Sequence, residues 1–293
     1  MSDTNNPSEF KAVFADIRWH DGFYKFLQNI YRLYPEDRFH TLIKRVSQEL
    51  EDDEAIYRRL QRELPKIKPF MADLTLALPS LFRQKREMAN QTLRLLGPIS
   101  RIEGYVEIGS TGRYISELRK DLTIIKPIFL VNEFAPTNSP VDIAERGGFA
   151  KIGRFLPLNN YAPLSAVIPD ASAELVTCYI GLHHCPLNLL DGFVRSVVRV
   201  LKPGGTFVLR DHNVTTPAMH TFVSLVHTVF NAGLNETWET NQRELRHFRP
   251  IAEWSGYLAE RGLKDKGLRE LQAHDPSDNV LLAFVKAAPG VRA

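Results

Sequence analysis

Beyond Gly97 the chain repeats one pattern: a short apolar run, a turn, and a stretch of helical periodicity. The runs are 104-GYVEIG-109, 128-IFLVNE-133, 154-RFLPL-158, 174-ELVTCYIGL-182, 206-TFVLRDH-212 and 279-NVLLAFVKA-287. Strands that alternate with helices predict a largely parallel sheet wound on both faces, that is, a doubly wound α/β fold. No internal repeat and no low-complexity segment interrupts the pattern.

The preceding part reads differently. Residues 1–9 are polar and are expected to lack structure. From Phe10 to about Leu96 every signal is helical. Phe23, Phe26, Leu27, Ile30, Tyr31 and Tyr34 recur at three- and four-residue spacing and make one apolar face. Pro35 interrupts it. A second helix carries Phe39, Leu42, Ile43 and Val46, and a third starts at the acidic turn 51-EDDEAI-56. A long helix, 80-SLFRQKREMANQTLRLLG-97, stops at Gly97-Pro98. The expected organisation is a helical cap, lid or dimerisation region over 1–97 and an α/β domain over 98–293, with a helical lid insertion at about 213–255.

Composition narrows the function classes. A net charge of +3, evenly spread, does not argue for nucleic acid. Two cysteines, Cys178 and Cys185, supply neither a disulfide framework nor a zinc ligand set, which suits a reducing cytoplasm. The start, MSDTNNPSEF, lacks the basic and apolar regions of a signal peptide. No apolar run of about eighteen residues is present, so no membrane partner is expected.

The first strand of the α/β part runs into the turn Glu107, Gly109, Ser110, Thr111 and Gly112, before a new helical pattern. A strand, a tight turn and a helix start can present backbone N–H groups to a small polar ligand. The second strand ends in Glu133, followed by 134-FAP-136. A carboxylate at the tip of the neighbouring strand can accept both hydroxyls of a ribose.

Two further stretches give the pattern a family likeness. The segments 169-PDASAELVTCYIGLHHCP-186 and 199-RVLKPGGTFVLRDHN-213 resemble class I S-adenosylmethionine-dependent methyltransferases of the small-molecule branch. Three signals of that family occur in order: an entry into the fourth strand, an "L-H-H" leaving it, and an "L-K-P-G-G" turning into the fifth. The resemblance spans about residues 98–290. It implies a Rossmann-like seven-stranded sheet with the last strand antiparallel beside the fifth, and S-adenosylmethionine as cofactor. It further implies that Gly109, Ser110 and Gly112 cradle the methionine moiety, with Glu107 near its amino group. Glu133 would hold the ribose, Asn159, Asn160 and Tyr161 would meet the adenine, and Tyr179 would line the cofactor. Two departures stand out. The family turn acid-x-Gly-x-Gly-x-Gly is one residue shorter in 107-EIGSTGRY-114, and an asparagine replaces the acid expected after the third strand.

The carboxyl ends of the fourth and fifth strands carry the candidate catalytic groups. Histidine suits proton removal near neutral pH, so His184 and then His212 are the expected bases, with Asp211 orienting them or attracting a cationic substrate. A metal held by His183, His184, Asp211 and His212 is disfavoured, because neighbours on a strand point to opposite faces. Further on, 217-PAMHTFVSLVHTVFNAGL-234 and 238-WETNQRELRHFRP-250 read as lid helices. Their Arg243, Arg246 and Arg249 form either a grip for an anionic substrate or a solvated face. The expected partner is a small-molecule methyl acceptor, with a homodimer through the N-terminal helices. The rival is a non-catalytic partner subunit that keeps the fold, and an RNA methyltransferase ranks last.

Overall fold

The computed structural model describes residues 8–149 and 151–287. In chain order its first elements are α1 (Glu9–Ala15), α2 (Ile17–Asn29), α3 (Glu36–Glu49), α4 (Asp53–Ile67) and α5 (Leu78–Leu96). Then come β1 (Arg101–Ile108), α6 (Ile115–Leu118), β2 (Thr123–Asn132), α7 (Pro140–Arg146), β3 (Arg154–Pro157) and β4 (Ala173–Cys178). The remainder is α8 (Leu187–Val200), β5 (Leu201–His212), α9 (Pro217–Gly233), α10 (Trp238–Arg243), α11 (Ile251–Ala259), β6 (Leu263–Leu271) and β7 (Asn279–Lys286).

The chain divides into two compact units. One takes residues 1–80, 214–248 and 273–278; the other takes 81–213, 249–272 and 279–293. This division departs from the expected one at two places. Helix α5 goes with the sheet, because Met88, Ala89 and Leu95 bury against Tyr105, Leu175 and Val208. The expected lid also splits: 214–248 packs with the N-terminal helices, whereas α11 packs on the sheet through Trp254 and Leu258.

In the helical unit the apolar faces read from the sequence meet one another. Phe23, Phe26, Phe39, Ile43, Val46 and Leu60 form one core with Phe222, Val223 and Val229 of α9. Asp16 and Asp52 accept from the N–H of Arg18 and Ala55, both at 2.9 Å, and so cap α2 and α4. Residues 1–7 of the stretch expected to lack structure lie outside the described residues; Glu9 opens α1, and Ser8 caps it, its Oγ accepting from the Lys11 N–H at 3.2 Å. Arg246 does not offer its charge outward. It donates to Glu244, Ser224, Thr228 and Asn241, between 2.7 and 3.1 Å, and ties α9 to the segment after α10.

In the second unit the sheet order is β3-β2-β1-β4-β5-β7-β6. Neighbours from β3 to β5 are parallel, and β7 is antiparallel to both β5 and β6. Alternate residues feed two cores. Val106, Val176 and Phe207 face α8 and α11, while Tyr105, Leu175 and Val208 face α5 and α6. Each large apolar side chain so buried contributes about 1.5–3 kcal/mol. The sequence reading missed β6. Its run, LKDKGLREL, is mostly charged, because an edge strand presents few side chains to the core and its charges deter further pairing. No helix among the described residues is long and apolar enough to cross a membrane.

Candidate cofactor and catalytic site

Strand β1 delivers Glu107 to its carboxyl end as a fully buried carboxylate. The charge is tolerated because donors converge on it: Tyr105 Oη at 2.9 Å, the Tyr114 N–H at 3.4 Å, and a very close Ser110 Oγ. Burial outweighs these bonds and holds its pKa above the ordinary carboxylate value. The turn that follows closes on itself. Ser110 Oγ accepts from the N–H groups of Gly112 and Arg113, at 3.2 and 3.1 Å, and Gly109 N–H donates to Val131 O at 2.8 Å. Arg113 is pinned by an ion pair with Glu145 of α7 at 2.5 Å.

Gly109 is required by the fold itself. Its φ is +87°, and a Cβ there would lie 2.3 Å from the Ile180 side chain, which packs directly on the turn. Gly112, at φ +100°, is likewise confined to a conformation that favours glycine. Glu107, Gly109, Ser110 and Gly112 are therefore together at one turn, as the sequence reading placed them, but most of their polar groups already have partners within it.

The tips of β2 and β3 are arranged differently. Glu133 is exposed, and one carboxylate oxygen accepts from the Asn160 N–H at 3.2 Å. Asn159 and Asn160 both adopt left-handed backbone, φ 50° and 52°, and both side chains are exposed. Phe134, beside Glu133, is 78% exposed. The sequence reading passed over it, although an aromatic directly after a strand-tip acid is a visible signal.

Two tyrosines depart from their expected role. Tyr161 is buried: its hydroxyl donates to Gly181 O at 2.7 Å and its ring meets Phe193 at 5.1 Å, so it joins the end of β3 to the β4 loop. Tyr179 is also buried, with its hydroxyl 2.7 Å from Thr92 Oγ1 of α5 and its ring 4.4 Å from that of Tyr114. It is a core residue rather than a cofactor wall.

The histidines come together, though not as strand alternation predicts. Strand β4 ends at Cys178, and the turn beyond it places the His183 and His184 rings 4.1 Å apart. Alternation holds only within a strand. Asp211, fully buried, holds this turn. Its carboxylate accepts from the Leu182 N–H at 2.7 Å, the His183 N–H at 3.3 Å and the His212 N–H at 2.8 Å, and it meets His183 Nδ1 at 2.7 Å. The oriented histidine is thus His183, not His184 or His212. So enclosed, Asp211 is placed to orient rather than to attract a cationic substrate. His184 is half-buried; His212 is buried, its Nε2 3.1 Å from the Asn279 amide.

Residues 159–209 match the family model described as a methyltransferase domain. No curated protein matches the chain. Among solved structures, the CurJ carbon methyltransferase aligns at 14% identity over 92% of this chain and 71% of its own, with a TM-score of 0.50. The 1,6-didemethyltoxoflavin-N1-methyltransferase of Burkholderia thailandensis aligns at 13% identity over 71% of this chain and 79% of its own, with a TM-score of 0.47. An S-adenosylmethionine-dependent methyltransferase of Mesorhizobium loti aligns at 14% identity over 68% of this chain and 97% of its own, with a TM-score of 0.47. At such identities the likeness concerns the fold alone. The resemblance read from the sequence is thus met by a methyltransferase family segment over residues 159–209 and by a sheet of the class I methyltransferase type.

Proposed function

We propose that the protein is an S-adenosylmethionine-dependent methyltransferase acting on a small-molecule acceptor. The observation that carries the reading is Glu133: an exposed carboxylate at the tip of β2, one oxygen steadied by the Asn160 N–H and the other open to a ribose diol. Phe134 offers a ring to a nucleobase, and the amides of Asn159 and Asn160 offer a donor and an acceptor to its edge. These residues fit the adenosine end of the cofactor. When bound, S-adenosylmethionine supplies a methyl group on an electrophilic sulfonium.

The residues around it hold and orient. Asp211 fixes His183 and the turn after β4, and His183 in turn backs the half-buried His184, which we assign as the proton acceptor. His212, held by Asn279, is the alternative base. Most of the rate advantage would come from positioning two reactants. The two free, buried cysteines fit a reducing compartment, so a cytoplasmic setting is part of the proposal.

One observation favours a second reading, a non-catalytic partner subunit. The shortened turn keeps its own donors, with Gly112 and Arg113 on Ser110 and Ile180 against Gly109. Calorimetric titration with S-adenosylmethionine and S-adenosylhomocysteine, beside Glu133→Ala, separates the two. Micromolar binding that falls at least about tenfold in the variant supports the enzyme. Heat from neither ligand supports the partner subunit.

A further inference from the structure

Arg210 lies on β5, two residues before its end, and is only 9% exposed. Its Nε is buried without a partner, and among the described residues its guanidinium makes no hydrogen bond and no ion pair. Among the described residues the other buried or half-buried cations of this unit are engaged, Arg249 through the Trp254 ring at 4.9 Å and the rest through hydrogen bonds or ion pairs. Lys85 donates to the carbonyls of Ala144 and Glu145, Arg113 pairs with Glu145, Arg146 donates to Thr137 O, and Lys286 donates to the carbonyls of Val198 and Leu201. Arg199 pairs with Asp170 and donates to three carbonyls. Each of these fastens one piece of the fold to another. Arg210 fastens nothing, and a buried charge without a partner destabilises the chain that carries it.

Strand register shows what lies beside it. Arg210 is opposite Leu281 and His212 is opposite Asn279, so Arg210, His212 and Asn279 occupy one face, with Arg210 and Asn279 diagonal neighbours. The Asn279 amide nitrogen meets His212 Nε2, and its Oδ1 is a second buried polar atom without a partner. Both lie toward the carboxyl end of the sheet, where Glu133 and the histidines are and where ligands of such sheets sit.

We propose that Arg210 binds the carboxylate of the methyl acceptor, a small organic acid that also presents an O–H or N–H to Asn279 Oδ1. A planar guanidinium pairs with a carboxylate through two parallel hydrogen bonds, and a desolvated site strengthens them. That this acid is the methyl acceptor rests on the methyltransferase reading; the acid site itself rests on Arg210.

The test uses the full chain with sodium acetate as the smallest carboxylate probe, acetamide as its uncharged match, and the variant Arg210→Met. Without ligand, R210M is expected to melt on the order of 3 °C above the parent, because it removes a buried charge that has no partner. Acetate is expected to raise the parent's melting temperature by about 3 °C at ten times its dissociation constant, with no response to acetamide and none to acetate in R210M. Arg210→Lys, which keeps the charge and loses the fork, is expected to respond only weakly. An R210M chain that melts well below the parent makes Arg210 structural and overturns the proposal. So does an equal response of parent and R210M to acetate, or no response in the parent. S-adenosylhomocysteine titrated into the same samples separates the two readings. Its failure to bind, with the acetate response intact, overturns the methyltransferase reading and leaves the acid site standing.

Discussion

Replacing Asp211 by alanine tests whether one buried carboxylate holds the turn after β4. The side chain has no exposure and accepts from the N–H groups of Leu182, His183 and His212, besides its contact with His183 Nδ1. Alanine leaves three backbone donors and an imidazole without that acceptor in a place closed to water. Each stranded donor costs about 1–3 kcal/mol, and partial relaxation brings the expected loss to about 4 kcal/mol. Asparagine keeps the volume. Its oxygen can still take the Leu182 and His183 amides while its nitrogen donates to the other tautomer of His183, so only the His212 N–H loses its acceptor. That variant is expected to lose about 1 kcal/mol. Urea unfolding followed through Trp254, in a chain carrying Trp19→Phe and Trp238→Phe, reports on the sheet unit alone, since the other two tryptophans belong to the helical unit. With a slope of about 2 kcal/mol per molar, the midpoint falls by roughly 2 M for alanine and roughly 0.5 M for asparagine. An alanine variant that unfolds with the parent, or no gap between the two variants, refutes the reasoning.

Other expectations follow from single contacts. Gly109→Ala forces a left-handed alanine against Ile180, and a loss of about 3 kcal/mol is expected; Ile180→Ala should recover the steric part in a double-mutant cycle read by thermal melting. Asp265 is pushed up by burial, but hydrogen bonds from Arg269, Ser255 and the Gly267 N–H prevail and hold its pKa at about 2. Its depressed folded pKa contributes stability that is full above pH ~4 and lost as pH falls toward 2. Asp265→Asn should therefore lose about 2 kcal/mol at pH 7 and match the parent near pH 2 in denaturation series. Tyr179→Phe removes the hydroxyl's contacts with Thr92 and Thr177, so about 1 kcal/mol of stability should go while affinity for S-adenosylhomocysteine stays unchanged by calorimetry.

The sheet was legible because its strands are apolar runs set between helical periods, and six of the seven appear that way in the sequence. Strand β6 was not, since an edge strand of charged residues carries no apolar signature. The boundary at Gly97 was read from a helix stop, yet α5 buries Met88 and Leu95 on the sheet, and a helix stop says nothing of which core a helix feeds. Within the site, the position of Glu133 could be read from its place at a strand tip. Tyr161 and Tyr179 could not be judged, because burial of a tyrosine depends on partners such as Gly181 O and Thr92 that lie far away in the chain. The histidine pair was misjudged for a local reason: strand alternation was extended through residues 183 and 184, five residues past the end of β4.

The glycine turn illustrates how a motif can be kept for two reasons. Gly109 is demanded by Ile180, and Gly181, at φ +80° with the His183 ring 2.5 Å from where a Cβ would sit, is demanded by the fold of His183 back toward Asp211. Both glycines would be needed in a chain that bound nothing, so their presence does not separate an enzyme from a relic. Glu133, Phe134 and Arg210 are different. An exposed acid beside an aromatic that is 78% exposed gains nothing from packing, and a buried guanidinium without a partner works against stability. Residues that folding does not need, or that it resists, carry more information about a ligand than residues that folding requires. By that measure Glu133, Phe134 and Arg210 carry the proposed function, the two glycines bear on neither reading, and only the turn's satisfied donors favour the partner subunit.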